Sequence, residues 1–234
     1  MIFNLLSEGV NAQSLVYIIF FVVIFFMTIT VHECAHGYTA YKLGDPTAKY
    51  MGRLTLNPVK HIDPIGLILI MVIGFGWAKP VMINPRNFKN PKSGMAISAA
   101  AGPVSNLLMA VLGSLIYAAL LRVIIHTGFI NGFSISALQF FNLFAQLNVW
   151  FAVFNMIPLP PLDGSRIVSF FLPPKYHYYY NYLERYGFLI LILLLNLGRI
   201  NRNLDFIWIL QTLSGWILSG MDFVIDAIFS LFGG

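Results

Sequence analysis

The amino-acid sequence predicts an all-α polytopic membrane protein, and three observations support that prediction. Of its 234 residues, 58% are hydrophobic and only 10% are charged, whereas soluble proteins carry about 25% charged residues. The apolar residues come in long blocks rather than in alternating or one-faced patterns. Several of these blocks approach the roughly 20 apolar residues that an α-helix needs to cross a bilayer. We therefore expect a lipid bilayer to surround most of the chain.

Three transmembrane helices form the predicted core. The first begins near residue 15 and continues through residue 31 to about Leu43, where the sequence Gly-Asp-Pro ends it. The second covers residues 95–121 and is rich in Ala and Gly at its start, which favours close helix packing. The third covers residues 134–157.

One or two further membrane helices are expected within residues 178–232. Residues 182–197 form the predicted fourth span. Residues 206–221 are long enough for a fifth span, whereas their Trp and Ser content also suits a helix that lies at the membrane interface. Composition leaves these two alternatives open.

A shorter apolar run lies between the first and second helices. Residues 65–78 number only 14 and include three glycines. A helix of that length is too short to cross the hydrocarbon core. We predict a re-entrant or edge β element, which is tolerated at membrane depth only where protein or a water-filled cavity satisfies its backbone.

Positive charge is concentrated in the loop between the first two helices. Against Asp45 and Asp63, it holds Lys42, Lys49, Arg53, Lys60, Lys79, Arg86, Lys89 and Lys92. Cytoplasmic loops carry such an excess, so this loop is predicted to be cytoplasmic. The net charge of +5 is therefore explained by membrane orientation, and no nucleic-acid partner is expected.

The first helix contains the sequence HECAH, residues 32–36, toward its C-terminal end. His32 and His36 are four residues apart, so on a helix they share one face and reach a single ion. In this pattern the two imidazoles bind zinc, and Glu33 serves as general base. Histidines that only hydrogen-bond between helices are the weaker alternative, because an acid at bilayer depth costs on the order of 2.5 kcal/mol.

A third metal ligand must come from elsewhere, because catalytic zinc usually takes three protein ligands and one water. Aspartates near the helix ends are candidates, as are the remaining histidines, His61, His126 and His177. Asp163 is the favoured ligand. It follows three prolines that cannot continue the third helix, and Gly164 gives the backbone freedom to orient it.

Topology supports Asp163 independently. If residues 65–78 do not cross, the ends of the first and third helices lie on the same cytoplasmic side, and Asp163 matches the depth of His32 and His36. If that run crossed, Asp163 would lie on the opposite face. The alternative role of Asp163 is to cap the next short helix.

Three motifs together resemble the site-2 protease family of intramembrane zinc metalloproteases, peptidase family M50. They are HECAH, AGPVSN at residues 101–106 and NMIPLPPLDG at residues 155–164, in the family's order. The resemblance covers residues 32–166. It implies one Zn²⁺ per chain, bound by His32, His36 and Asp163, with Glu33 as the base.

The resemblance also implies roles for two asparagines. Asn155 is implied to position the substrate or stabilise the oxyanion, as a neutral amide can at low cost; its alternative is an interhelical hydrogen bond. Asn106 is implied to help seat the substrate, although helix packing explains it better. The segment LNPVKHIDPIG, residues 56–66, resembles a pattern of a bacterial branch of the family. The alternatives for His61 are to orient the loop, to approach the metal or, as for most loop histidines near a membrane surface, to do neither.

We expect one membrane-embedded protease domain over residues 1–234, with its core motifs at 32–166 and without a PDZ or nucleotide-sensing domain. The expected partners are the lipid bilayer and a transmembrane protein or peptide substrate, in a prokaryotic plasma (inner) membrane with the active site toward the cytoplasm. A membrane zinc transporter is the alternative function, because the same ligands could form a transient site along a pore. A catalytically silent adaptor is disfavoured, since all the proposed catalytic residues are present.

Overall fold

A computed structural model describes residues 11–64, 66, 79–201 and 204–231. Over these residues the chain is helical and contains no strand. It divides into two compact units, Met1–Gly94 and Met95–Gly234. The all-α prediction is therefore confirmed for the described residues, whereas the predicted re-entrant or β element at 65–78 lies outside them except for Gly66.

A single long helix, α1 (Ala12–Lys42), dominates the first unit. The side chain of Asn11 caps its start by accepting the Ser14 N–H at 2.8 Å, which satisfies one of the orphan donors of the first turn. The helix ends where Gly44 adopts a φ of 109°, a conformation that glycine takes without steric cost. The helix thus includes the whole HECAH segment, as predicted.

The rest of the first unit is a loop with a short helix, α2 (Thr47–Tyr50), and two 3₁₀ turns, Pro58–Lys60 and Pro85–Asn87. Asp45 links its two ends. This fully buried carboxylate accepts hydrogen bonds from the Asn84 N–H at 2.7 Å, from the Asn87 amide at 2.6 Å, and from the hydroxyl and N–H of Thr47. The Asp45 carboxylate therefore joins the start of the loop to its end.

Two long helices begin the next part of the chain, α3 (Pro91–Thr127) and α4 (Gly132–Asn155). A capping box between Asn131 and Ser134 begins α4. The two helices pack closely within the second unit, because a Cβ on Gly113 of α3 would lie 2.7 Å from the ring of Phe144 on α4. They correspond to the second and third predicted spans.

Three more helices complete the second unit: α5 (Asp163–Phe171), α6 (His177–Ile200) and α7 (Phe206–Leu231). The last of them, α7, packs against α4 and against α6. Among the described residues, four helices are long and apolar enough to cross a membrane: α1, α3, α4 and α7. Residues 206–221 therefore belong to a candidate span, whereas α6, which contains the predicted fourth span at 182–197, is not among the four.

Candidate metal centre

Two imidazoles face each other on α1. Their Nε2 atoms, one on His32 and one on His36, lie 2.9 Å apart, and their rings meet edge to face at 90°. Both side chains are 7% exposed. Imidazole nitrogens are common zinc ligands, so two that converge in a buried site fit a bound zinc ion. As the four-residue spacing predicts, the two histidines share one face of the helix.

The carboxylate of Glu33 is fixed by a backbone hydrogen bond. Its Oε2 atom accepts the Val81 N–H at 2.8 Å. Bonds from N–H to a carboxylate are charge-assisted and stronger than neutral ones. A residue 48 positions further along the chain thus holds the proposed general base next to His32.

A buried arginine supports the segment that contains Val81. Arg53 is 6% exposed, and its guanidinium donates to the carbonyls of Lys79, at 3.5 Å, and Pro80, at 3.3 Å. These two carbonyls immediately precede the Val81 N–H. In the sequence Arg53 is one of the cytoplasmic charges, and no local signal distinguishes it from the exposed lysines of the same loop.

Close packing at Gly37 explains how the loop reaches Glu33. A Cβ on this residue would lie 2.8 Å from Leu54 Cδ2 and 3.1 Å from both Ala48 and Val81 Cγ1. The missing side chain lets the loop pack directly on α1, one residue after His36. Sequence reasoning did not single out Gly37, although its position directly after HECAH was visible.

The contacts of His61 are those of a residue that orients the loop. It is 1% exposed, and its Nε2 lies 2.9 Å from the carbonyl of Thr55. Because a carbonyl only accepts, Nε2 is the donor in this bond. The backbone carbonyl of His61 accepts the Lys79 N–H at 2.9 Å. These contacts favour the loop-orienting alternative for His61.

In the second unit, Asp163 is the first residue of α5 and is 9% exposed. The N-cap position belongs to Leu162, and no side chain caps that helix end. Asp163 therefore does not occupy the position of a capping residue. A carboxylate oxygen in this position is one of the ligand types that zinc accepts.

The role of Gly164 differs from the predicted one. Sequence reasoning assigned it backbone freedom, but Gly164 is not among the glycines with positive φ. Instead, a Cβ there would lie 2.2 Å from the carbonyl oxygen of Met156 and 2.6 Å from that of Ile157. The absence of a side chain lets the start of α5 pack against the end of α4, and this packing positions Asp163.

The predicted asparagines lie in the second unit. Asn155 ends α4, and its amide donates to the Phe151 carbonyl at 3.0 Å. This bond lies within one helix, so it is neither an interhelical bond nor a substrate contact. It uses one of the two amide hydrogens of Asn155.

Asn106 of α3 is fully buried. Asn148, fully buried on the same face of α4 as Asn155, was not predicted.

Comparison with known proteins adds independent evidence. A family model described as "Peptidase family M50" matches residues 122–194, which include Asp163. "Putative zinc metalloprotease YwhC" of Bacillus subtilis is 45% identical over 178 residues, which cover 75% of this chain and 79% of that protein. "Putative zinc metalloprotease Rip2" of Mycolicibacterium smegmatis is 31% identical, over 75% of this chain and 66% of its own length. The Mycobacterium tuberculosis H37Rv protein of the same name is 28% identical, over 71% and 64%. No solved structure matches the chain.

Proposed function

This chain belongs to peptidase family M50, the site-2 protease family, and is a zinc metalloprotease; from that premise we propose that it cleaves peptide bonds within or near transmembrane segments of membrane-protein substrates. The observation that supports this most is the pair of buried imidazoles on α1, 2.9 Å apart, beside a carboxylate held by a backbone N–H. Ionisable side chains on a membrane helix are energetically costly, and they are therefore usually functional.

We propose that His32, His36 and Asp163 bind the zinc ion, one per chain. Two features support Asp163 as the third ligand. Its carboxylate is buried, and it begins a helix that Gly164 seats against the end of α4. Two imidazoles and one carboxylate would hold a catalytic zinc ion and leave room for a water ligand.

A zinc ion bound there would supply a water of lowered pKa and polarise the scissile carbonyl. Glu33 is the proposed general base, which would accept a proton from the attacking water and pass it to the leaving nitrogen of the substrate. The Val81 N–H keeps the Glu33 carboxylate in one place for both proton transfers.

We propose Asn155 as the neutral donor near the developing oxyanion, through its second amide hydrogen. We propose Asn106 as a residue that helps to seat the substrate.

The proposed setting is the plasma (inner) membrane of a prokaryote, with the active site toward the cytoplasm. The four apolar helices support membrane insertion. The seven exposed lysines and arginines of the first unit between Lys42 and Lys92 support the orientation. We propose that all 234 residues form one protease domain, whose partners are the lipid bilayer and a transmembrane protein or peptide.

A cleavage assay in proteoliposomes tests this function. A model transmembrane peptide is the substrate, and wild type is compared with Glu33→Gln and with Glu184→Gln, a change at an exposed glutamate on α6. We expect Glu33→Gln to lose at least about 10²-fold in rate while it retains zinc, and Glu184→Gln to match wild type.

Two results would contradict the proposal. One is cleavage by Glu33→Gln at the wild-type rate. The other is a wild type that cleaves no transmembrane peptide but moves zinc across the vesicle membrane, with flux that survives Glu33→Gln; this result would support the transporter instead.

A further inference from the structure

The direction of α7 is fixed by contacts near its C-terminal end. The guanidinium of Arg122 donates to Asp226 at 2.8 Å and lies 4.1 Å from the centre of the Phe229 ring. Arg122 is five residues from the end of α3, and Asp226 is five residues from the end of α7. The C-terminal ends of these two helices therefore lie at the same level.

Only one direction of α7 satisfies this contact. If α7 ran opposite to α3, its first 20 residues would extend about 30 Å beyond the level of Arg122, mostly past the end of α3, where α4 does not reach. Yet α7 packs against α4, which begins at Gly132, after a connection of four residues from the end of α3. Hence α7 runs parallel to α3 and antiparallel to α4.

The start of α7 then lies at the same end of the second unit as Asn155, the last residue of α4. The chain between them, residues 156–205, must cross the membrane an even number of times. It contains one long apolar run, in α6, and that run is only 13 residues long between Arg185 and Arg199. A helix of 13 residues spans about 20 Å, which is short of the roughly 30 Å of hydrocarbon.

Contacts hold the first half of α6 against the Pro-rich segment. The Tyr180 hydroxyl donates to the backbone carbonyl of Ser165. A Cβ on Gly187 would lie 2.1 Å from the carbonyl oxygen of Pro160, so α6 packs directly on that segment. These contacts, seven residues apart on one helix face, keep α6 beside the segment that contains Asp163.

We propose that α6 does not cross the membrane but lies in its surface, on the side of Asp163, with the bilayer interface as its partner. Its exposed apolar residues face the acyl chains: Phe188, Leu189, Ile192 and Leu193. Arg185 and Arg199 flank them at headgroup level, as in other interfacial helices. The chain then crosses four times, and α7 ends on the face opposite to Asp163.

This topology also removes a conflict with charge. If α6 crossed, Arg199 would lie on the side where α3 ends, away from the positively charged loop. With α6 in the surface, Arg199 lies on the side where α3 begins, in agreement with the positive-inside rule. The proposal does not depend on the proposed protease activity.

The side of the membrane from which single cysteines react tests whether α6 crosses it. Single cysteines are introduced at three exposed positions of a Cys34→Ala chain, as Phe171→Cys, Leu204→Cys or Ile130→Cys. Sealed vesicles that hold the protein in one orientation or the other are then treated with a membrane-impermeant maleimide. We expect positions 171 and 204 to react from one side and position 130 from the other. Reaction of position 204 from the same side as position 130 would overturn the proposal.

Depth measurement tests the lipid partner. A fluorophore on Leu193→Cys is compared in vesicles whose lipids have a quencher either near the headgroup or at the end of the acyl chain. We expect the shallow quencher to be the stronger. Stronger quenching from the bilayer centre would show a crossing helix, and quenching by neither lipid would show a protein partner; both results would refute the surface location.

Discussion

A single backbone N–H determines where the Glu33 carboxylate lies. The donor, Val81, follows two carbonyls that accept from the buried guanidinium of Arg53. We therefore expect Arg53 to act on catalysis through the backbone, without contact with the proposed reacting atoms. In that role it positions the peptide whose next N–H binds the proposed base.

Replacing Arg53 by Ala should slow cleavage with little loss of zinc. A displacement of the Val81 N–H by about 1 Å would misplace Glu33, and such errors cost up to about 10²-fold in rate. The measurements are kcat, KM and zinc content, and we expect the fall in kcat to exceed any change in KM. Arg53→Lys should recover part of the rate, and the exposed Arg86→Ala should behave as wild type. An equal fall in both alanine variants would contradict this role.

Asp45 makes the stability of the first unit depend on pH. Burial raises the pKa of this carboxyl, but hydrogen bonds from Thr47, Asn87 and the Asn84 backbone outweigh that effect and lower it below its ordinary value. A lowered pKa in the folded state contributes stability above the ordinary pKa of about 4. That contribution is lost as the pH falls through the folded-state pKa.

We therefore expect Asp45→Asn to melt at a lower temperature than wild type at pH 7. Loss of several hydrogen bonds to a charged group costs on the order of 1–3 kcal/mol. Thermal melting in detergent between pH 3 and pH 7 measures it, and the gap between the two proteins should narrow toward the acid end. A gap that widens with acid would show that the lowered pKa is wrong.

At the scale of elements, α5 depends on close contact with the end of α4. Gly164→Ala places a Cβ 2.2 Å from the Met156 carbonyl oxygen, far inside van der Waals contact. The start of α5 must then move, and Asp163 moves with it. We expect this variant to lose zinc affinity and activity together, as measured by metal content after dialysis and by cleavage rate.

The control is Gly220→Ala on α7, where a Cβ meets nothing within 4 Å. This change should leave activity and metal content as in wild type, with a small gain in helix stability. A Gly164→Ala protein that keeps both zinc and activity would show that close packing at this glycine does not position Asp163.

The elements themselves could be predicted from local patterns. Long apolar blocks predicted α1, α3 and α4 to within six residues at either end, because bilayer thickness fixes helix length. The HECAH spacing predicted the imidazole pair, because helix periodicity fixes which side chains share a face. Composition left α7 undecided between span and interface, and α6, which contains the predicted fourth span, is not among the candidate membrane-crossing helices of the described residues.

These local patterns could not predict contacts between residues that are distant in sequence. Arg53 has the same local signal as an exposed lysine, and its role depends on carbonyls 26 and 27 residues away. Gly37 and Gly164 are explained by what packs on them. The direction of α7 depends on Arg122 and Asp226, which are 104 residues apart.

At the scale of the whole molecule, we propose that one ion is bound by His32, His36 and Asp163. Binding of the ion should then stabilise the protein, because a ligand of the folded state shifts the folding equilibrium. Metal removal by a chelator should lower the melting temperature of wild type and leave that of His36→Ala nearly unchanged.

X-ray absorption at the zinc edge tests the central claim most directly, on purified wild type and on Asp163→Ala. The account predicts two imidazole nitrogens at about 2.0–2.1 Å together with oxygen ligands, and the loss of one oxygen ligand, or of the zinc itself, in Asp163→Ala. Identical spectra from the two proteins at equal zinc content, or a wild type whose zinc lacks imidazole ligands, would contradict it.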